Sequence, residues 1–392
     1  MSTNFALIIL SSIIIFSYLL EIISKKIRLP SVILLLVSGI IAKVILQSYQ
    51  VDISFLDKFL PILGTIGLIL IVFEGALELK YDKSKNKMIL SAFFSAITIL
   101  LFTVLTIGLI LHYITYLPLR LCIINAIPFG IISSAVAIPS AQLFGSYHKE
   151  FVVYESSFSD ILGIVLFNFF IYNDTVSTNS FLNLGAEILI VLVLSLSFCF
   201  LLLFILRNLK LQVRFILIIA VLFLIYALGK NYHLSSLIIV LFFGLFLSNI
   251  EKINVGWIQK HFLYPSFGND FTQLHQISLE GAFLIRTFFF IIFGLSINIE
   301  DLYSIRLIQF AIIITISIVL IRFIYLKFIT RTDLSPLLYM APRGLISILL
   351  YFSIPEQYKI YDLEKGILFL VVLSTCLFMT FGILTYKNDK NT

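Results

Sequence analysis

Glu155-Ser156-Ser157-Phe158-Ser159-Asp160 places two acids inside an otherwise apolar run covering residues 151–171. An acid at the centre of a membrane-crossing helix costs about 2.5–3.5 kcal/mol on insertion scales. Such residues persist where they face a protein interior or a wet cavity. On a helix, Ser156 and Asp160 are four apart and share a face, and Glu155 and Ser159 share the adjacent one. Two neighbouring acid–hydroxyl pairs at mid-depth suit a monovalent cation or a proton.

The rest of the chain supplies the membrane around that stretch. Of 392 residues, 60% are hydrophobic and only 12% charged, against about 25% charged in soluble domains. Mean hydropathy is +1.09. The fold class expected is an all-α polytopic membrane protein. Its net charge of +6 reads as lysines on cytoplasmic loops, not as a nucleic-acid surface. Cys122, Cys199 and Cys376 all fall in apolar runs, which argues against disulfides or a metal cluster. The first apolar run, 5–23, lacks a basic leader and a small-residue cleavage site, so it reads as a retained span.

Runs of bilayer length predict about thirteen spans. They lie near 4–23, 30–47, 59–79, 88–113, 119–143, 149–171, 183–206, 213–230, 233–250, 276–298, 304–329, 335–355 and 365–386. The longest connection, 251–275, holds Trp257 and reads as interfacial. Basic residues crowd the odd-numbered connections, as in Lys25, Lys26 and Arg28, or Lys80, Lys83, Lys85 and Lys87. Even-numbered ones carry few, such as Lys58 and Arg120. The positive-inside rule then predicts an outer N-terminus and a cytoplasmic C-terminus in the cell's inner (plasma) membrane. The tail, 388–392, is too short for a regulatory domain.

Spans five and twelve are unlike the rest. The fifth carries Pro128, Gly130, Ser133, Ser134 and Pro139; the twelfth carries Pro336, Pro342-Arg343-Gly344 and Pro355. Such interruptions survive at membrane depth where they line a cavity or pack in protein. Each is the fifth member of a six-span half, 4–171 and 213–386, joined by span 183–206. An offset of seven spans makes the halves inverted, and matched broken helices in inverted halves point to a transporter's binding site. The whole of 1–387 reads as one transporter unit.

Asp160, central in its span, is the expected cation or proton ligand: burial and a bound cation push its protonation in opposite directions. Glu74 in span three is a second candidate oxygen ligand or gate. Ser133, Ser134 and Ser156 can offer hydroxyl or freed carbonyl oxygens to a hard cation, although membrane serines more often serve packing. Glu155 reads as a structural acid in need of an arginine fork, with Arg322 the first candidate and Arg343 the second. Arg343 can also answer the dipole ends of the broken helices, and Arg286 can snorkel to an interface. The five histidines, His112, His148, His233, His261 and His275, sit at or near span ends and read as interfacial.

These stretches together resemble the monovalent cation:proton antiporters of the NhaP and animal sodium/proton exchanger type. Glu155 to Asp160 resembles the family's Glu-Ser-x-x-Asn-Asp signature. Phe73-Glu74-Gly75-Ala76-Leu77 resembles its Phe-Glu-Gly-Gly-Leu, and Pro342-Arg343-Gly344-Leu345 its Leu-Arg-Gly. Arg286-Thr287-Phe288 through Gly294-Leu295 resembles its tenth-helix segment. The resemblance implies an inverted-repeat antiporter fold, a homodimer, and a mobile core of spans 4–6 and 11–13. It implies ion or proton binding at Asp160, with Glu74 and Ser156 beside it, and a Glu155–Arg322 pair. No cofactor is implied. Two positions depart from the pattern. Ser159 stands where the family has Asn, and Ile132-Ser133-Ser134 where it has Thr-Asp-Pro, so one acid is missing.

The function expected is secondary antiport of protons against Na⁺, with K⁺ and Li⁺ as alternatives. Rival readings are a cation channel and an integral-membrane glycan polymerase or acyltransferase; the short loops disfavour the enzyme.

Overall fold

The protein is described from a computed structural model over residues 3–49, 56–79, 81–173, 177–208, 215–232, 234–252, 267–331, 334–360 and 363–386. Trp257, His233, His261 and the tail 388–392 lie outside the described residues. Helices occupy every one of the thirteen expected positions. In chain order they are α1 (Thr3–Ile27), α2 (Ser31–Ser48), α3 (Leu56–Glu78), α4 (Asn86–Thr115), α5 (Leu119–Gly130) and α6 (Ser134–Ser140). Then follow α7 (Ser146–Tyr172), α8 (Thr178–Asn208), α9 (Phe215–Asn231) and α10 (Ser236–Asn249). The last are α11 (Phe267–Ser296), α12 (Ile305–Ile324), α13 (Leu345–Ser353) and α14 (Lys365–Thr385). Among the described residues there is no strand, and seven helical stretches are long and apolar enough to cross a membrane.

Helix α4 shows why the chain needs lipid. Ala92, Ala96, Ile99, Thr103 and Ile107 form a buried stripe, while Phe94, Leu101, Phe102, Leu105 and Leu109 stand exposed on the other side. Apolar residues on both faces at helical spacing are stable only where the outer face meets hydrocarbon.

Two compact units divide the chain. The first contains Met1–Thr65, Lys87–Gly163 and Leu284–Thr392. In it α12 packs on α14, α5 on α13 and α1 on α2. The hydroxyls of Thr315 on α12 and Ser374 on α14 meet at 2.7 Å. At one end Lys43, buried on α2, donates to the Ile297 carbonyl at 2.6 Å, just past the end of α11. A cation there answers the negative end of the helix dipole.

The second unit contains Ile66–Asn86 and Ile164–Phe283. Here α10 packs against α8 and α9. Glu187 of α8 accepts the Ser235 backbone N–H at 2.8 Å and also its hydroxyl, at the start of α10. A carboxylate at a helix N-terminus satisfies otherwise orphaned donors. Asn249 at the other end of α10 donates to the Leu79 carbonyl at 2.9 Å, tying α10 to the end of α3.

Both interruptions expected from proline and glycine are present. Between α5 and α6 the backbone opens, with Ile131 at φ −81°, ψ 130° and Ser133 at φ −76°, ψ 113°. In the twelfth span a short 3₁₀ turn, Leu337–Tyr339, is followed by non-helical residues 340–344 before α13. The eleventh ends in a π turn, Tyr325–Thr330.

Candidate functional site

The two open segments cross each other in the first unit. Ser133 N–H donates to the Pro342 carbonyl at 2.9 Å. The approach needs Gly344: a Cβ there would stand 2.5 Å from Ser133 Oγ. Gly163 on α7 serves the same end, since a Cβ at that position would stand 2.3 Å from the Ile131 side chain.

Helix α7 holds the crossing with its signature residues. Ile132 N–H donates to Ser159 Oγ at 2.9 Å, and Ser134 N–H donates to Asp160 Oδ2 at 3.2 Å. Three successive N–H groups of broken backbone, at 132, 133 and 134, therefore find acceptors in Ser159, Pro342 and Asp160. Without them, buried N–H groups would each cost about 1–3 kcal/mol. Both departures from the family pattern have a place here. Ser159 spends its oxygen on the opened helix. Ser134, standing where the family has a proline, supplies an N–H that proline lacks.

Asp160 is buried, at 6% exposure. Ser156 is buried one turn below it and donates its hydroxyl proton to the Val152 carbonyl at 2.7 Å. Ser133 Oγ is buried and has no hydrogen-bond partner among the described residues. The sequence suggested hydroxyl or carbonyl oxygens from Ser134. The Ser134 N–H also faces the carboxylate.

Below lies an ion pair that links four spans. Arg322 Nη2 is 2.7 Å from Glu155 Oε2 and Nη1 is 3.1 Å from Oε1, a two-pronged contact. Both residues are buried, at 0% and 1% side-chain exposure. Ser95 of α4 donates to Glu155 Oε1 at 2.5 Å, and Arg322 Nε donates to the Leu337 carbonyl at 2.7 Å. Sequence reasoning missed Ser95, though the buried stripe of α4 contains it. Of the two arginines considered for Glu155, the hydrogen-bonded one is Arg322.

Arg343 is also wholly buried. Its Nε donates to the Phe129 carbonyl at 2.6 Å and its Nη1 to the Ala341 carbonyl at 3.1 Å. Phe129 is in the last turn of α5, so the guanidinium sits at a negative helix end. Arg286 does comparable work on α6. Pro139 has no N–H, which leaves the carbonyl of Ala135 without its helical donor. Arg286 Nη1 donates to that carbonyl at 2.9 Å.

Asp160, Ser133, Ser134, Ser156, Ser159, Glu155, Arg322 and Arg343 thus belong to one cluster of the first unit. Glu74 belongs to the second. There it is half-buried on α3 beside Phe73, whose ring stacks on Phe243 at 6.0 Å. Among the described residues no group of three or more His, Cys, Asp or Glu side chains could chelate a metal.

Crossed, interrupted helices with a buried carboxylate at their meeting point define a class: secondary membrane transporters. The family is fixed by the sequence profile described as "Sodium/hydrogen exchanger, transmembrane", which matches residues 10–386; the chain belongs to this family of transporters. Its members are not enzymes, and the ions they move are substrates, with no cofactor needed. Cation/proton antiport is accordingly this chain's activity class. The fold is similar to a structure of the sodium proton antiporter MjNhaP1 from Methanocaldococcus jannaschii at pH 8. Identity is 18%, the TM-score is 0.73, and 97% of this chain and 100% of that one are covered. An electron-microscopy map of MjNhaP1 matches at 19% identity and TM-score 0.67, covering 98% of this chain and 95% of that one. Among curated proteins there is no significant match.

Proposed function

We propose that the chain exchanges protons for Na⁺, with K⁺ and Li⁺ as alternatives, by alternating access, and that Asp160 binds cation and proton in turn. The observation that carries this is the place of Asp160: a buried carboxylate at the crossing of two opened helices. Ser156 and Ser133 are the proposed oxygen neighbours, since Ser156 keeps its lone pairs after donating its proton and the Ser133 hydroxyl is buried without a partner among the described residues. Ser134 supports the carboxylate through its N–H. Glu155, Arg322, Ser159 and Arg343 frame the site and carry no ion. Glu74 is proposed as a second acid on the strength of the sequence, and a Glu74→Gln variant with lowered cation affinity would support it.

One cation traded for one proton at Asp160 moves no net charge. Spans 4–6 and 11–13 are proposed as the moving core of a homodimer, in an inner membrane with the N-terminus outside.

The test uses purified protein in sealed vesicles containing a pH-sensitive dye. Imposed gradients of Na⁺, K⁺ or Li⁺ are expected to drive protons the opposite way for at least one cation. With Na⁺, clamping the membrane potential should leave the rate unchanged. Proton movement with none of the three, or only when a potential drives it as in a channel, would contradict the proposal.

A further inference from the structure

A cavity of about 330 Å³ lies in the first unit, and none of the residues proposed above to bind cation or proton lines it. Its walls are the elbow between α1 and α2, the half-helix α6, Arg286 of α11 and the end of α14. Three cations line it, Lys25, Arg28 and Arg286, against one acid, Glu21. Lys25 Nζ is 3.6 Å from Glu21 Oε1, so the one acid of the lining is engaged with one of its cations.

Such a lining would repel a cation on its way to Asp160. It fits an anion. Arg28 strengthens that reading. It closes α1 in the left-handed region at φ 57°, with Leu29 N–H donating to the Ser24 carbonyl at 3.1 Å. Glycine ordinarily takes this place in a helix ending. An arginine here holds a guanidinium at the cavity wall in spite of backbone strain. Two guanidinium forks and an ammonium suit tetrahedral, multiply charged oxyanions, and phosphate above all. Arg286 also reaches α6 through the Ala135 carbonyl, and a guanidinium with five donors can serve more than one acceptor.

We propose that this cavity binds a phosphate-bearing anion between Lys25, Arg28 and Arg286. On the topology proposed above, it opens at the cytoplasmic side. Anionic lipid headgroups and free phosphate both occur there, and both present the same chemistry. The topology is the only part of the proposal that rests on the functional reading; binding itself does not need exchange.

The test is thermal unfolding of the full-length chain in a neutral detergent, read without transport. One arm compares sodium phosphate with sodium chloride at equal Na⁺, with choline chloride added to equalise the ionic strength. The other compares mixed micelles of phosphatidylglycerol with those of phosphatidylcholine. Equal Na⁺ keeps any cation binding at Asp160 the same throughout. A rise in the midpoint of about 3 °C or more is expected in at least one arm. The first arm identifies a soluble anion as the source, the second a headgroup. The rise should vanish in a Lys25→Gln/Arg28→Gly double variant, whose glycine relieves the left-handed strain and so preserves the turn. It should shrink in Gln142→Glu, which adds an acid at an exposed position of the cavity wall. No rise in either arm, or a rise that survives in both variants, overturns the proposal. In that case Lys25 and Arg28 serve only the helix end and the cytoplasmic surface.

Discussion

Glu155 makes a costly ion pair tolerable by surrounding it with donors. Both carboxylate oxygens are met by Arg322, and Ser95 adds a third contact. Replacing Glu155 with Gln leaves a buried guanidinium without its counter-charge, which should destabilise the protein by about 3–5 kcal/mol. A Glu155→Met/Arg322→Met double variant should recover most of that loss, because two apolar groups replace two paired charges. Denaturation midpoints of the three proteins check this. A double variant as unstable as Glu155→Gln would show that the pair does more than satisfy itself. Ser159 is a second residue with a single identifiable duty. Ser159→Ala removes the acceptor for the Ile132 N–H and is expected to cost about 1–3 kcal/mol. A melting point within error of wild type would contradict that assignment.

At the scale of elements, the half-helix α6 depends on another helix for a hydrogen bond its own proline cannot make. Arg286→Met should therefore destabilise by about 1–3 kcal/mol. Restoring an N–H with Pro139→Ala should return much of it, so the two substitutions should couple in a double-mutant cycle. Additive effects would mean that Arg286 acts elsewhere. This contact also marks where sequence reading stops. Helix positions, the two interruptions and the acids of α7 were legible because apolar length, proline, glycine and intramembrane charge are written in side chains. The contacts of Ser159, Asp160 and Arg286 described above were not, because in each the other group belongs to the backbone, and backbone groups carry no residue-type signal. One clue was available. Proline at 139 implies an orphaned carbonyl at 135, and an arginine inside another span is a natural answer to it. Lys43, which meets the end of α11, is a similar case.

For the whole molecule, membrane topology is the widest expectation. The proposed orientation puts the short turn at Lys83–Lys85 on the cytoplasmic side. That turn is capped by Asp82, whose oxygen accepts the Ser84 N–H at 2.9 Å. The hydrogen bonds from Ser84 hold the Asp82 carboxyl below its ordinary range, so the cap persists through neutral pH and is lost only as pH falls through that lowered value. A Ser84→Cys variant should be labelled by an impermeant thiol reagent from the cytoplasmic side alone. Tyr303→Cys, at a position 79% exposed, should be labelled from the outside alone. The native cysteines Cys122, Cys199 and Cys376 are buried and should give little background. Labelling of both sites from one side would overturn the topology. Glu74 also belongs at this scale: its residue type and its place in the motif were readable, and it lies in the second unit while Asp160 lies in the first.

The central claim is that one carboxylate carries both substrates. It is tested by comparing wild type with Asp160→Asn in vesicles, following cation-driven proton movement by dye. Asn keeps the size of the side chain and an oxygen for the Ser134 N–H but holds no negative charge. Loss of exchange for every cation in a variant that melts near the wild-type temperature is the predicted result. Cation-driven proton flux equal to wild type would contradict it.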